Sequence, residues 1–298
     1  MLRAAKHQFG GDSHSQNGVW GHFYPQHLQN KNEQTATFQI TSLPDFKEKA
    51  LAWASQFEVA CCLDHNSYQG YFYHDFEGLI AVGAASQLTL REEKGAFEAL
   101  RKFAEETQDW LFGYLTYDLK NDVENLTSSH FDGIGFPALH FFQPVYLLEI
   151  FADQVVIHSK AESPEMLFQK INRPVSTSSA NRSGLPQKIL APRIPKPDYL
   201  ATVQAIRQHI LRGDIYEMNF CQEFFTQNAE LDPAAIFHRL SRLAKAPFSA
   251  FYRLNDRYLL CASPERFLKK TGQKLLSQPI KGTMRRGRTA EEDAILRQ

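Results

Sequence analysis

Apolar residues recur along this chain with two different periods. Between residues 46 and 57, Phe46, Ala50, Trp53 and Phe57 fall on one stripe at helical spacing, with Asp45 placed to cap the helix after Pro44. Residues 58–63 and 78–85 read as strands, and residues 92–107 as a charged amphipathic helix that turns Phe97, Leu100 and Phe103 inward. Residues 110–117 are apolar and aromatic, the mark of a buried strand. Residues 138–150 read as a strand pair broken near Pro144, followed by a short strand at 154–158 and a short helix at 162–171.

A stretch rich in Ser, Pro and Asn, residues 172–197, reads as a surface linker. Beyond it, Asp198 is placed to cap a helix with Leu200, Val203, Ile206 and Ile210 as its apolar stripe and Gly213 at its stop. Residues 215–225 read as a strand, and Asp232-Pro233 as the start of a helix running to about residue 245. Residues 248–254 and 258–262 predict a hairpin across Asn255-Asp256, and residues 265–268 and 274–280 a second one. Thr289-Ala290-Glu291-Glu292 reads as a capping box opening a last helix. Strands and helices without strict alternation predict an α+β layered, sheet-rich fold with antiparallel sheets flanked by helices, and no internal repeat is visible. Residues 1–36, rich in Gly, His, Gln, Asn and Ser, predict a poorly ordered extension. The organisation expected is therefore 1–36 extension, 37–171 first region, 172–197 linker and 198–298 second region.

Composition narrows the field. The 298 residues are 43% hydrophobic and 12% aromatic, enough for a sizeable core. Lys+Arg and Asp+Glu both number 33, and a net charge of zero argues against a surface built for nucleic acid or anionic membrane. The four cysteines match no zinc spacing and read as buried thiols of a reducing compartment. No apolar run reaches transmembrane length, the N-terminus lacks a signal pattern, and a cytoplasmic location is expected.

The stretch with the most chemistry is Ser277-Gln278-Pro279-Ile280-Lys281-Gly282-Thr283-Met284-Arg285-Arg286-Gly287-Arg288. A lysine beside a glycine, followed by crowded arginines, is a candidate amine nucleophile, because neighbouring positive charge and burial favour the free amine. A solvated basic loop is the plainer reading. Gly282 allows close backbone approach. Thr283 can hydrogen-bond a substrate carboxylate or close a turn.

Pro279-Ile280-Lys281-Gly282-Thr283, preceded by Ser263-Pro264-Glu265-Arg266-Phe267, resembles the chorismate-utilising enzymes. Gly213-Asp214-Ile215-Tyr216, Pro247-Phe248-Ser249-Ala250-Phe251 and Phe112-Gly113-Tyr114-Leu115 fit in order and spacing. Within that superfamily the chain is similar to the aminodeoxychorismate synthase component I branch; the related anthranilate synthases carry alanine at the position of Lys281. The resemblance implies an anthranilate synthase component I-like fold, chorismate as substrate and a glutamine amidotransferase component II as the ammonia-supplying partner, since this chain has no Gly-x-Cys-x-Gly elbow. It also implies Mg2+ as cofactor, with ligands expected beyond residue 298, so that the chain is expected to be incomplete at its C-terminus and short of a full metal site.

By the same resemblance Lys281 displaces the ring hydroxyl of chorismate to form a covalent adduct, Glu265 serves as general acid or base, and Gly282 and Thr283 bind substrate. A hairpin loop centred on Gln273 sets Glu265 straight across from Lys281, at about 5 Å between Cβ atoms; a loop centred between Thr271 and Gly272 turns them to opposite faces. Pro247, Phe248 and Ser249 lie where related enzymes line a tryptophan pocket, or simply start a strand after a helix. Leu63-Asp64-His65-Asn66-Ser67 departs from the Leu-Leu-Glu-Ser of feedback-regulated anthranilate synthases. Two other readings stand beside this one: anthranilate synthase component I, and a truncated, inactive chain that only binds the amidotransferase or a small aromatic ligand.

Overall fold

The computed structural model describes residues 2–5, 33–68, 75–173, 190–280 and 285–296. In chain order the elements are β1 (Leu2–Ala5), β2 (Gln34–Gln39), α1 (Leu43–Ala54), β3 (Val59–Asp64), β4 (Gly78–Leu90), α2 (Ala96–Thr107), β5 (Leu111–Leu115), α3 (Lys120–Val123), β6 (Leu139–Ile150), β7 (Gln154–Ser159) and α4 (Pro164–Asn172). There follow β8 (Ala191–Pro192), α5 (Lys196–Arg212), β9 (Phe224–Phe225), α6 (Pro233–Ala244), β10 (Phe248–Leu254), β11 (Arg257–Ser263), β12 (Arg266–Thr271), β13 (Lys274–Gln278) and α7 (Ala290–Leu296). These helices and antiparallel sheets are the α+β fold expected. The chain divides into two compact units, residues 1–175 with 233–298, and residues 176–232.

The larger unit is built on an antiparallel sheet of nine strands in the order β1-β5-β6-β4-β3-β10-β11, with β7 also pairing β6 and β2 pairing β7. Period-2 alternation explains how it makes two cores at once. Ala60, Cys62, Ile80, Val82 and Phe251 face one side, where Phe46 and Trp53 of α1, Leu167 and Ile171 of α4 and Phe237 of α6 cover them. Their neighbours Val59, Cys61, Leu79, Ala81 and Tyr252 face the other side and meet Phe112, Tyr114 and Phe142 from β5 and β6. The sheet therefore folds over on itself. Each large side chain so buried contributes roughly 1.5–3 kcal/mol.

The fold-over is made by β4 and β6. Pro144 is not a break between two strands, as its lack of an N–H suggests, but lies inside one strand, Leu139–Ile150. It sits opposite Ala84, where the ladder slips by one residue before Ser86 pairs Gln143. Gly83 there adopts φ 69°, a conformation that other residues reach only with strain. The bulge absorbs the missing donor and bends the sheet.

Three local expectations change. The cap of α1 is Ser42, whose Oγ accepts from the Asp45 N–H at 3.4 Å, leaving Asp45 in the first turn. Leu2–Ala5 pairs β5 and Gln34–Gln39 pairs β7, so two strands come from or overlap the polar stretch expected to lack order. Sheet hydrogen bonds and the half-buried Ala36 and Phe38 outweigh its composition. Of the four free thiols, Cys61 and Cys62 are buried, but Cys261 is half-buried and Cys221 exposed. The histidines at 7, 14, 22 and 27 and most of the linker lie outside the described residues.

In the smaller unit, α5 opens at Lys196 after Pro195 rather than at Asp198 and ends at Gly213, φ 83°. Its apolar stripe buries no residue: Leu200 is 56% and Ile210 38% exposed. The strand expected over 215–225 is reduced to Phe224–Phe225, pairing Ala191–Pro192. Side chains do part of the ladder's work: Gln222 Nε2 donates to Ile194 O at 2.6 Å, and Arg193 pairs Glu223 at 2.7 Å.

Candidate functional site

The hairpin β12–β13 carries the candidate chemistry. Its register pairs Thr271 with Lys274, Lys270 with Leu275 and Lys269 with Leu276. The turn is Gly272-Gln273, with Gly272 at φ 56°. This is neither of the two registers weighed from the sequence, because the loop is centred between those residues. A bulge follows: Arg266 faces Gln278, and Ser277 Oγ donates to Phe267 O at 2.9 Å. The bulge changes the parity of the pairing but shifts it away from a loop centred on Gln273. Extended by one residue, the ladder sets Pro279, not Lys281, across from Glu265. Lys281, Gly282 and Thr283 lie outside the described residues.

Glu265 is exposed. Its backbone is held in a tight turn, in which Ser263 Oγ donates to Glu265 O at 3.1 Å and accepts from Glu265 N at 3.3 Å. The neighbouring guanidinium of Arg266 lies 5.0 Å over the Phe248 ring, tying this turn to the first residue of β10. Next to it Gln278 Oε1 is buried with no hydrogen-bond partner among the described residues. Lys269 pairs Asp75 at 2.5 Å.

Past the gap, the arginines are engaged with α7. Arg285 pairs Glu292 at 3.2 Å and Arg286 pairs Asp293 at 2.8 Å. The N–H groups of Gly287 and Arg288 donate to Asp293 Oδ1 and Glu292 Oε2 at 2.9 and 2.7 Å. Two of the three guanidiniums thus have carboxylate partners that offset the positive charge available to a neighbouring lysine. Gly287 is required by close approach: a Cβ there would lie 2.2 Å from the Asp293 backbone nitrogen. Thr289 Oγ1 accepts from Glu292 N at 3.2 Å, the N-terminal half of the capping box.

Pro247, Phe248 and Ser249 are brought against residues 64–67. Ser249 pairs Asp64 across β10 and β3. Asn66 Nδ2 donates to Ala246 O at 2.7 Å and to Ser249 Oγ at 2.8 Å. Asn66 N donates to Asp64 Oδ1 at 2.7 Å, and Lys47 Nζ reaches the same oxygen at 2.9 Å. Asn66 and Ser67 take φ 55° and 48°, which this bonding supports. Pro247 and Ser249 are buried, Phe248 half-buried.

Sequence reasoning missed a polar group inside the fold-over. His140 is fully buried; its Nδ1 meets the Tyr252 hydroxyl and its Nε2 lies 3.2 Å from Gln87 Oε1. Burial pushes the His140 imidazole down to about 4 and the Tyr252 phenol well up. Tyr114 packs edge-on to Tyr252 at 5.2 Å. The only trace in the sequence is a histidine amid an apolar strand, which also describes many core histidines.

No group of three or more His, Cys, Asp or Glu among the described residues is placed to hold a metal ion, and no helix among them is long and apolar enough to cross a membrane. The class defined is an α+β chain with a large folded-over antiparallel sheet, followed by a separate two-stranded hairpin, β12–β13. A family model described as chorismate binding enzyme matches residues 33–298, and the chain belongs to that family. It is 26% identical over 208 residues to aminodeoxychorismate synthase component 1 of Bacillus subtilis (strain 168), covering 63% of this chain and 43% of that protein. It is 27% identical over 193 residues to anthranilate synthase component 1 of Thermus thermophilus, covering 62% and 41%. The menaquinone-specific isochorismate synthase MenF of Escherichia coli is similar in structure, with TM-score 0.46 and 15% identity over 89% of this chain and 58% of that one. The chain spans less than half the length of these two curated relatives.

Proposed function

We propose that this chain is component I of an aminodeoxychorismate synthase, which aminates chorismate to 4-amino-4-deoxychorismate with ammonia delivered by a glutamine amidotransferase partner. The observation that carries the reading is the lysine at position 281 within Pro279-Ile280-Lys281-Gly282-Thr283, in a chain of the chorismate-binding family. The free amine of Lys281 attacks the ring carbon bearing the hydroxyl; the C–O bond breaks and the hydroxyl leaves as water, taking its proton from Glu265. Ammonia then attacks the same carbon, the bond to lysine breaks, and Lys281 is released as an amine. Gly282 gives the ring access to the backbone, and Thr283 takes a carboxylate.

Magnesium is the metal we propose for the full reaction; no step is assigned to it, since the described residues form no site for it. The second reading, anthranilate synthase component I, has the likeness to the Thermus thermophilus protein in its favour. Lysine in place of alanine at position 281 weighs against it.

The test is intact-protein and peptide mass spectrometry after incubation with chorismate, without ammonia. A chorismate-derived adduct on Lys281, absent from Lys281→Ala, is the expected result. No adduct on the parent chain, or anthranilate as the product once ammonia and magnesium are added, overturns the assignment.

A further inference from the structure

The Asn255-Asp256 turn stands at the end of β11 opposite to Ser263, about 20 Å away at ~3.3 Å per residue, and so remote from Glu265. Two hollows open beside it. One, of about 430 Å³, is lined by Glu58, Gln87, Thr89, Arg91, Asn255 and Arg257 together with backbone and apolar neighbours. The other, of about 630 Å³, shares Arg91 but adds Glu93, Asp118 and Asp132. The charges separate them: the first holds two guanidiniums against one carboxylate, the second one guanidinium against three carboxylates.

The guanidiniums of the first hollow differ in their commitments. Arg257 is anchored, its Nε donating to Ile134 O at 3.2 Å and its Nη1 pairing Asp256 at 2.8 Å. Arg91 is exposed and has no ion pair among the described residues. On the wall, Gln87 is oriented from within: its Oε1 is held at the buried His140, which leaves the amide N–H groups for the hollow. Tyr114, whose ring lies 6.3 Å from that of His140, lines neither hollow; its hydroxyl, on a residue 3% exposed, has no hydrogen-bond partner among the described residues. Tyr114 is near enough to Arg257 for the guanidinium charge to act on its phenol.

We infer that the first hollow binds a small hydroxylated carboxylate, its carboxylate between Arg91 and Arg257 and its hydroxyls on Gln87, Thr89 and Asn255. Its volume lies in the range of small-molecule sites, and a charge-assisted pair to guanidinium is the strongest recognition its lining offers. Its distance from the Glu265 turn makes it a second site, separate from the amination chemistry.

The probe is malate, titrated into the full chain at low salt by calorimetry, with 15N spectra of the histidine side chains as a second readout. Saturable binding is expected, with the His140 ring nitrogens shifting and the neutral diamide of malate failing to bind. Arg91→Gln, which removes no structural contact, weakens binding by about tenfold or more; Glu58→Gln, which removes repulsion, tightens it. Arg257→Gln weakens binding too, and a melting curve checks its fold because Arg257 also anchors Ile134. Absence of saturation at millimolar malate, equal binding of the diamide, or an Arg91→Gln chain that binds like the parent would overturn the site.

Discussion

Helices α1 and α5 make the most instructive pair in the molecule. Both carry an apolar stripe at helical spacing, and both begin with a proline in the first turn. The shorter one, α1, buries Phe46, Ala50, Trp53 and Ala54 against the sheet. The longer one, α5, buries none of its 17 residues. The stripe is the same kind of signal in each case; what differs is whether another surface meets it. An amphipathic pattern specifies the face that a helix offers, and burial needs a partner for that face.

The largest effect expected separates the two helices directly. Phe46→Ala should lower unfolding free energy by about 3–5 kcal/mol, whereas Leu200→Ala should stay within about 0.5 kcal/mol of the parent. Chemical denaturation of both variants measures this, and equal costs would break the contrast. A smaller effect concerns the fold-over. His140 binds its proton at about 4 in the folded chain and near 6.5 when unfolded. The unfolded state therefore holds more protons between those values, and stability falls as pH drops from 6.5 towards 4. The loss reaches about 3 kcal/mol. In His140→Gln that part of the pH dependence disappears; a slope unchanged by the substitution would show that His140 is not the group responsible. The smallest effect lies at α7. Gly287→Ala forces the chain off Asp293 and should cost helical signal and the protection of the α7 amides. The main unfolding transition should move by less than about 0.5 kcal/mol, since α7 buries no residue. A large shift of that transition would mean that α7 is part of the core.

Two pieces of the frame around the candidate site were readable in advance. The hairpin across Asn255-Asp256 and the cap at Thr289 rest on local chemistry, and local chemistry is written in neighbouring residues; the turn at Ser263-Pro264-Glu265 was not foreseen, since residue 265 was read as the start of a strand. The register of β12–β13 was not readable, because Gly272-Gln273 can be centred in several ways and a bulge at Phe267–Leu268 leaves no signature. The pairing of Arg285 and Arg286 with α7 was missed for a related reason. Charges close in sequence look like one basic cluster until the chain turns and supplies carboxylates.

On its own, the sequence determined the order and kind of most elements, the α+β class, and a lysine-bearing motif of the chorismate-binding family. The elements and the class follow from spacing and from residues a few positions apart, whereas the motif was read by its resemblance to that family. Only the tertiary structure decided that Pro144 lies within a strand, that His140, Tyr252 and Gln87 meet inside the folded sheet, and that Arg91 and Arg257 share a hollow. Those groupings depend on which strands become neighbours, and strand pairing over more than a hundred residues is set by the packing of the whole sheet, which no local stretch encodes.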